Sequence, residues 1–417
     1  MKLKLHWQIF IAMILGTVFA LLLGDKALIA APLGTIFMRL LKMIIVPLVL
    51  TSITTGVAQL GDSHALGRLG AKTLGYYFLS SVLAILVGLT LTNIIQPGQG
   101  LTISGVGSDF DPSQLQHPQS LGEIIVRLIP VNPVQAAAQG DILGLIFFSL
   151  MFGFAITRLK GKPYEFLLNF FDYSFRAMMR LTRGIIRLAP IGVFGLISSA
   201  VATAGFDLFK AVGMYMITIG TGLTIHLFVI LPLLIFLFTR HSPIKHFQAM
   251  APAMATAFST SSSGATLPVT MDCVENNVGV SNHISSFTLP LGATINMDGT
   301  ALYECAGVLF IAQALGFPMT LLDQITIVMV AFLASVGAAA VPSAGLVMIF
   351  IVLNAVGLGN NAQAALLVGT MLAVDRPLDM YRTVVNITSD SIGAVVIAHS
   401  EGEVLDYPMT LEQGTST

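Results

Sequence analysis

Apolar runs of about twenty residues recur along this chain, and no fold in water can hide so many of them. A spanning helix needs ~20 predominantly apolar residues, and such helices are predicted near residues 7–24, 33–58, 70–96, 133–158, 173–201 and 210–239. The full 417 residues leave room for about eight to ten membrane segments. Charged residues make up 10% of the chain and hydrophobic ones 55%, with a mean hydropathy of +0.85, whereas a soluble domain carries roughly 25% charged residues. A soluble enzyme or a nucleic-acid binder is excluded on that ground, and a net charge of −1 supplies no basic field for phosphate. The implied partner is lipid, and the size suits a transporter or channel subunit. Cys273 and Cys305 both lie in apolar surroundings, so no disulfide framework is expected. The first run resembles a signal peptide cut near Ala31, but it is already close to spanning length and further spans follow, so it reads as the first helix.

Loop charge sets orientation, because short translocated loops avoid Lys and Arg. Lys2 and Lys4, Arg68 and Lys72, Arg158 with Lys160 and Lys162, and Arg240 with Lys245 mark alternate connections as cytoplasmic. The segment from Gln96 to Gly122 has no Lys or Arg and is expected to be an outer loop. Arg176, Arg180, Arg183 and Arg187 recur at helical spacing, as on a snorkelling interfacial face.

The last third behaves differently. Of the 20 Lys and Arg, only Arg376 and Arg382 lie beyond Lys245. An arginine within apolar sequence costs at least ~2.5 to 3.5 kcal/mol to insert, so Arg382 needs a purpose. Two apolar segments are interrupted by small and polar residues with a proline, Thr260 to Pro268 and Ser335 to Gly345. Neither can run as one clean spanning helix, and each reads as a re-entrant hairpin with its tip inside protein, the first having a serine linker as its alternative. Paired interruptions of this kind are what an inverted-repeat transporter with a midplane site shows.

Between them, Asn296, Asp298 and Thr300 stand beside glycines that permit unwinding. They offer side-chain and backbone oxygens with no cation nearby, a cage for a hard cation, sodium being the natural candidate. The last span carries Asp375, Asp379, Arg382, Thr383, Asn386 and Asp390. At 100° per residue these fall within an arc of about 100°, a polar stripe that must face protein or water rather than lipid. Arg382 suits a carboxylate, Asp379 an ammonium, Thr383 and Asn386 the remaining atoms, and Asp390 can join Asn296 around a cation. Together they describe a zwitterion with a second carboxylate. The competing reading is an internal Asp379–Arg382 pair at i,i+3 that merely lets the helix insert. Glu304 lies one turn beyond Thr300 on the same face, a desolvated carboxyl and hence a candidate proton carrier. His226 reads as a hydrogen-bonded packing residue rather than a ligand.

These residues resemble a known family. The run Ser261 to Pro268, Asn296-Met-Asp-Gly-Thr300, Val341-Pro-Ser-Ala-Gly345 and Asp379 to Asn386 with Asp390 are similar to the motifs of the glutamate transporter family, the dicarboxylate/amino acid:cation symporters. Arg39 to Pro47, Pro130 to Pro133 and Ala189 to Phe194 extend the likeness over essentially the whole chain. The resemblance implies an all-α polytopic membrane protein of eight transmembrane helices plus two re-entrant helical hairpins, working as an elevator within a homotrimer. Residues 1–69 and 98–206 would form a static scaffold. Residues 70–97 and 207–417 would form the moving transport domain, with hairpins at about 243–279 and 321–358.

Carried over by resemblance, Asp379 would hold the substrate amino group and Arg382 its side-chain carboxylate. Thr383, Asn386, Thr300 and Ser263 would hold the rest, with Ser261, Ser262, Val341 and Gly345 closing over it. Sodium would be bound by Gly292, Asn296, Asn386 and Asp390; by Tyr77, Ser80, Ser81, Asn296 and Asp298; and by Thr294, Met297, Ser335, Val336 and Ala338. Archaeal sodium-only relatives carry arginine at the Ser261 position and glutamine at the Glu304 position, so here both resemble the animal members, whose equivalent glutamate is the assigned proton carrier. Those animal members have arginine directly after the substrate aspartate, where this chain has Met380, and many relatives have glycine where it has Ser343.

The expectation is therefore a symporter for acidic amino acids, L-aspartate or L-glutamate, coupled to sodium and to a proton through Glu304. It is not an enzyme and has no cofactor beyond the coupling ions. It would lie in a plasma (inner) membrane with both termini cytoplasmic. The alternatives are a proton-coupled C4-dicarboxylate carrier, which would not need Asp379, a neutral amino acid carrier, which would not need Arg382, and an anion channel. An intramembrane hydrolase lacks a His or Lys in sequence near Ser261 to Ser263 to activate a nucleophile.

Overall fold

Lipid offers backbone N–H and C=O groups no partner, so a spanning chain satisfies them within helices, and every regular element among the described residues is helical. The structure, a computed structural model, describes residues 5–58, 64–101, 126, 129–139, 141–204, 207–336, 344–359 and 361–407. Most of the expected outer loop, 96–122, lies outside those residues, as do Val341, Ala338 and Ser343 at the second interruption.

Helix α1 (Leu5–Leu23) meets α2 (Ala31–Ala58) across a tight 3-10 turn, Gly24–Ala30. Then come α3 (His64–Ile95), the short α4 (Pro133–Gln139), α5 (Ile142–Thr157), α6 (Lys162–Ile186), α7 (Ala189–Ala204) and α8 (Asp207–Ile225). A π turn, His226–Ile230, joins α8 to α9 (Leu231–Thr239). Pro232, just inside α9, has no N–H to give, so the hydrogen-bond ladder shifts there. The remainder is α10 (Pro243–Thr260), α11 (Ser263–Asp272), α12 (Asn282–Ile295), α13 (Asp298–Ala314), α14 (Leu321–Val336), α15 (Ala344–Ala355) and α16 (Ala362–Ser400).

Among the described residues, three continuous helical stretches are long and apolar enough to cross a membrane: 7–58, 68–95 and 210–239. The first, at 52 residues, is more than twice the ~20 a span needs. A fourth stretch is α6 with α7, which the sequence presents as one span at 173–201. The structure bends it by 52°. The cause is local: Pro190 at the second residue of α7 cannot donate to the preceding turn, so the α6 ladder ends there. The span expected at 133–158 is likewise divided into α4 and α5, the latter capped by Asp141, which accepts from Gly144 N at 3.2 Å.

Helices α1, α2, α5, α6 and α7 pack on one another, while α3 and α8 to α15 pack around α13 and α16. Every residue of α13 except Gln313 is buried, the mark of a helix enclosed on all sides. Helix α16 is pinned at both ends. At its start the Asn361 side chain accepts from Ala364 N at 2.9 Å. Past its end Glu401 meets Arg68 and Lys72 of α3, which hold its carboxyl below the usual glutamate range, Lys72 most strongly. Glu403 accepts from Ser281 N at 3.0 Å, and Tyr407 N donates to Val278 O at 3.3 Å. The start of α3, the π turn after α11 and the end of α16 are thereby tied together.

The cap makes a direct prediction. Asn361→Ala should destabilise the protein by about 0.5 to 2 kcal/mol, seen as a lower melting temperature of the detergent-solubilised chain, while Asn361→Asp should retain the wild-type value. Equal melting of Asn361→Ala and wild type would mean the α16 cap carries no stability.

Candidate functional site

Two described helix interruptions lie against α13 and α16. Between α10 and α11 only Ser261 and Ser262 are non-helical. Ser261 takes the left-handed region at φ 51°, which costs a non-glycine residue roughly 1 to 3 kcal/mol. Ser262 caps α11, its hydroxyl accepting from Ala265 N at 3.2 Å. Ser261, Ser262 and Ser263 are all buried, and α11 packs on α16. Between α12 and α13, Asn296 and Met297 are unwound. Helices α14 and α15, on either side of residues 337–343, which lie outside the described residues, pack on each other.

The polar stripe of α16 is buried along its whole length: Asp375, Asp379, Arg382, Thr383, Asn386 and Asp390. Arg382 is 1% exposed. Its Nη2 donates to Asp379 Oδ1 at 2.8 Å and to Asp375 Oδ1 at 3.1 Å. The i,i+3 pair that the sequence left as the competing reading is thus present, yet it does not exhaust the guanidinium. Nε and Nη1 are buried with no hydrogen-bond partner among the described residues, and buried charged donors of that kind call for an acceptor. One face of the guanidinium lies over the Tyr303 ring, 3.7 Å from its centroid. Gly345, at the start of α15, comes so near that a Cβ there would lie 2.6 Å from Arg382 Nη1. Arg376, partly exposed, stands 3.6 Å from Asp379 Oδ2. A carboxylate entering here finds unsatisfied cationic donors, and an ammonium finds Asp379. Thr383 directs its hydroxyl to the Asp379 carbonyl at 2.8 Å.

A second, oxygen-rich cluster lies one to two turns further along α16. Ser81 donates to Asp298 Oδ1 at 2.7 Å, and Ser80 lies 3.2 Å from both Asp298 Oδ1 and Asn296 Oδ1. Asn296 donates through Nδ2 to Asp390 Oδ1 and to Ser389 Oγ, each at 2.9 Å. Gly292 closes on the same carboxylate: a Cβ there would lie 2.5 Å from Asp390 Oδ1 and 2.6 Å from the Tyr77 hydroxyl. Tyr77 itself donates to the Thr288 carbonyl at 2.7 Å. Asn386 bridges the two clusters, accepting from Gly299 N at 2.8 Å and donating to Thr300 Oγ1 at 3.3 Å. Carboxylate, hydroxyl and amide oxygens crowded this closely repel unless hydrogens or a cation lie between them, which is the donor set hard cations favour.

The third expected set is less assembled. Ser335 is buried with its hydroxyl on the Phe332 carbonyl at 2.8 Å, and Thr294 turns back on Leu291 O at 2.9 Å. Met297 is buried and Val336 half-buried, while Ala338 and Val341 lie outside the described residues. Glu304, one turn past Thr300 on α13, is fully buried with neither carboxyl oxygen hydrogen-bonded among the described residues.

Two participants are absent from the site set read in the sequence. Ser389 bonds both Asn296 and Ser80, and a hydroxyl beside Asp390 carried no signal by itself. His226 places Nε2 3.0 Å from Asp298 Oδ2. It is hydrogen-bonded, as expected, but its partner is the carboxylate of the cluster, and the π turn beginning at His226 is the local feature that marks it.

Over residues 5–400 the chain matches the family model described as the sodium:dicarboxylate symporter family. It is 35% identical over 460 residues to the excitatory amino acid transporter 3 of Mus musculus, covering 95% of this chain and 86% of that one. It is also 35% identical over 413 residues to the proton/sodium-glutamate symport protein of Geobacillus stearothermophilus, covering 96% of each. The human excitatory amino acid transporter 3 is 36% identical over 423 residues, which span 89% of this chain and 79% of the human one.

Removing one carboxylate from Arg382 tests the pairing. Asp375→Asn weakens a buried charged hydrogen bond and should cost about 1.5 to 3 kcal/mol. The readout is thermal unfolding without ligands, and a variant as stable as wild type would mean that Asp379 alone compensates the guanidinium.

Proposed function

The chain belongs to the sodium:dicarboxylate symporter family, and on that premise we propose that it carries an acidic amino acid, L-glutamate or L-aspartate, across a membrane together with sodium and a proton. The observation that carries the reading is the buried guanidinium of Arg382, whose Nε and Nη1 have no partner among the described residues, beside Asp379. A zwitterion with a second carboxylate exchanges charge partners there without stranding any. Its ammonium takes Asp379, its side-chain carboxylate takes Arg382, and Thr300, Thr383, Asn386 and Ser263 orient the rest. A C4-dicarboxylate would leave Asp379 without an ammonium, and a neutral amino acid would leave Arg382 unmatched.

Sodium belongs in the oxygen cluster. One ion takes Asp390, Asn296, Gly292 and Asn386; a second takes Ser80, Ser81, Asp298, Asn296 and Tyr77; a third lies by Thr294, Met297, Ser335, Val336 and Ala338. Glu304, buried and without a hydrogen-bond partner among the described residues, carries the proton, since an ionised carboxylate in that place would be uncompensated. The names of the bacterial relatives, which join proton, sodium and glutamate, support the same coupling.

The segments α10–α11 and α14–α15 act as re-entrant hairpins flanking the substrate, completing eight spans. The packing of α1, α2, α5, α6 and α7 as one group and of α3 and α8 to α16 as another supports a scaffold and a moving transport domain. A homotrimer in a plasma membrane, with both chain ends cytoplasmic, completes the proposal.

The test is uptake of labelled L-glutamate and L-aspartate into proteoliposomes under inward gradients of sodium, protons, both or neither. Uptake should require sodium and rise with the proton gradient; uptake indifferent to sodium would remove the cation from the oxygen cluster. Arg382→Ala should abolish uptake while the protein stays folded, and unchanged affinity would take Arg382 out of the site. Glu304→Gln should abolish the pH dependence, and a dependence that persists would place the proton elsewhere.

A further inference from the structure

Past Ser400 the chain leaves α16 and runs as a strap, residues 401–407, across the base of the hairpin formed by α10 and α11, which pack on each other. Glu401 and Glu403 fix its first half on α3 and on Ser281. Its far end is driven inward: Leu405 and Tyr407 are buried, while Val404 and Asp406, on either side of Leu405, stay exposed. Tyr407 holds the left-handed region at φ 46°, a strain that persists only where surrounding contacts over-determine it.

Those contacts grip both feet of the hairpin. On the return foot, the π turn after α11, Tyr407 N donates to Val278 O at 3.3 Å. On the leading foot, its hydroxyl lies 3.3 Å from Nδ1 of His246, which is fully buried in the first turn of α10. The other ring nitrogen, Nε2, lies 2.9 Å from Ser391 Oγ on α16. The direction of each bond follows. Ser391 commits its one proton to the Thr388 carbonyl at 2.8 Å, so its oxygen accepts from His246 Nε2–H. The histidine is then neutral with a lone pair on Nδ1, and the Tyr407 hydroxyl donates to it. One tyrosine thus completes a buried chain from the strap through the hairpin to α16. The two feet are themselves joined by Asn277, whose Nδ2 donates to Ala249 O at 3.0 Å. Helix α10 has 18 residues, about 27 Å at 1.5 Å per residue, so a tilt of only ~10° at its foot would carry its tip about 5 Å. At that tip are Ser261 to Ser263, all buried.

We propose that the strap is a clamp: by gripping both feet through Tyr407, it holds this hairpin against α16 and keeps the tip shut. The clamp concerns hairpin motion alone and is tested without cargo or ions. Its bearing on transport rests on the proposed function, in which the tip serines close over the amino acid, so that the strap sets how readily the site opens on that side.

The experiment is hydrogen–deuterium exchange, read by mass spectrometry, on the purified full-length protein in detergent without sodium or amino acid. Exchange of a buried helix reports its opening equilibrium. Tyr407→Phe keeps the ring but strands the buried acceptor His246 Nδ1, and should raise exchange over residues 251–266 about tenfold. Residues 31–58 of α2 should keep the wild-type rate. Glu403→Ala loosens the return foot without touching the histidine and should raise exchange in the same segment. Faster exchange confined to residues 243–250 and 273–281 in both variants would mean that the feet loosen without moving the tip, and overturns the proposal. So does exchange equal to wild type, or exchange accelerated throughout, α2 included. A tip that loosens as expected in a chain that takes up neither amino acid supports the clamp and overturns the transport reading alone.

Discussion

Buried charge is the constraint on which this architecture depends. Five carboxyl side chains on α13 and α16, Asp298, Glu304, Asp375, Asp379 and Asp390, are buried against one guanidinium, Arg382. Isolated charge in a low-dielectric interior costs far more than one domain's net stability, so each group must be matched. Hydroxyls and amides do part of this, Ser81 on Asp298 and Asn296 on Asp390. The remaining negative charge is an affinity for cations. Under the proposed function the cargo, with two carboxylates and one ammonium, adds one net negative charge, and coupling then follows from electrostatics: without its cations, the loaded site is too unfavourable to seal. A hairpin that closes only over a compensated site needs no mechanical linkage to enforce the stoichiometry.

The surrounding helices make that concentration of charge tolerable. Helix α13 is enclosed on nearly every side, so its polar start is held away from water. The ties of Glu401 to α3 and of Asn361 to the first turn of α16 hold the stripe in register from both ends. Between those ends, Asn386 joins the arginine site to the oxygen cluster through Gly299 and Thr300, so displacement of either is felt by the other.

Much of this was legible because it is local. The stripe of α16 follows from 100° per residue, and its six members are all buried as that periodicity requires. The interruptions at Ser261 and at Asn296 were marked by residues that break helices. What was hidden depends on partners distant in sequence. His226 is 72 residues from Asp298, and Ser389 is 309 from Ser80, and no periodicity reveals such contacts. The bend between α6 and α7 was missed for another reason: apolar content continues through Pro190, and hydropathy does not register a missing N–H.

The two unwound residues between α12 and α13 have an electrical consequence. A continuous helix carries its partial charges only at its far ends, whereas a break in mid-membrane creates two new poles within a few ångströms. At Asn296–Met297 the C-terminal, negative pole of α12 meets the N-terminal, positive pole of α13. The first is attractive to a cation and the second to an anion. A single discontinuity thus supplies fixed fields of both signs at the one place where oppositely charged species would have to travel together, and it does so without burying another ionised side chain.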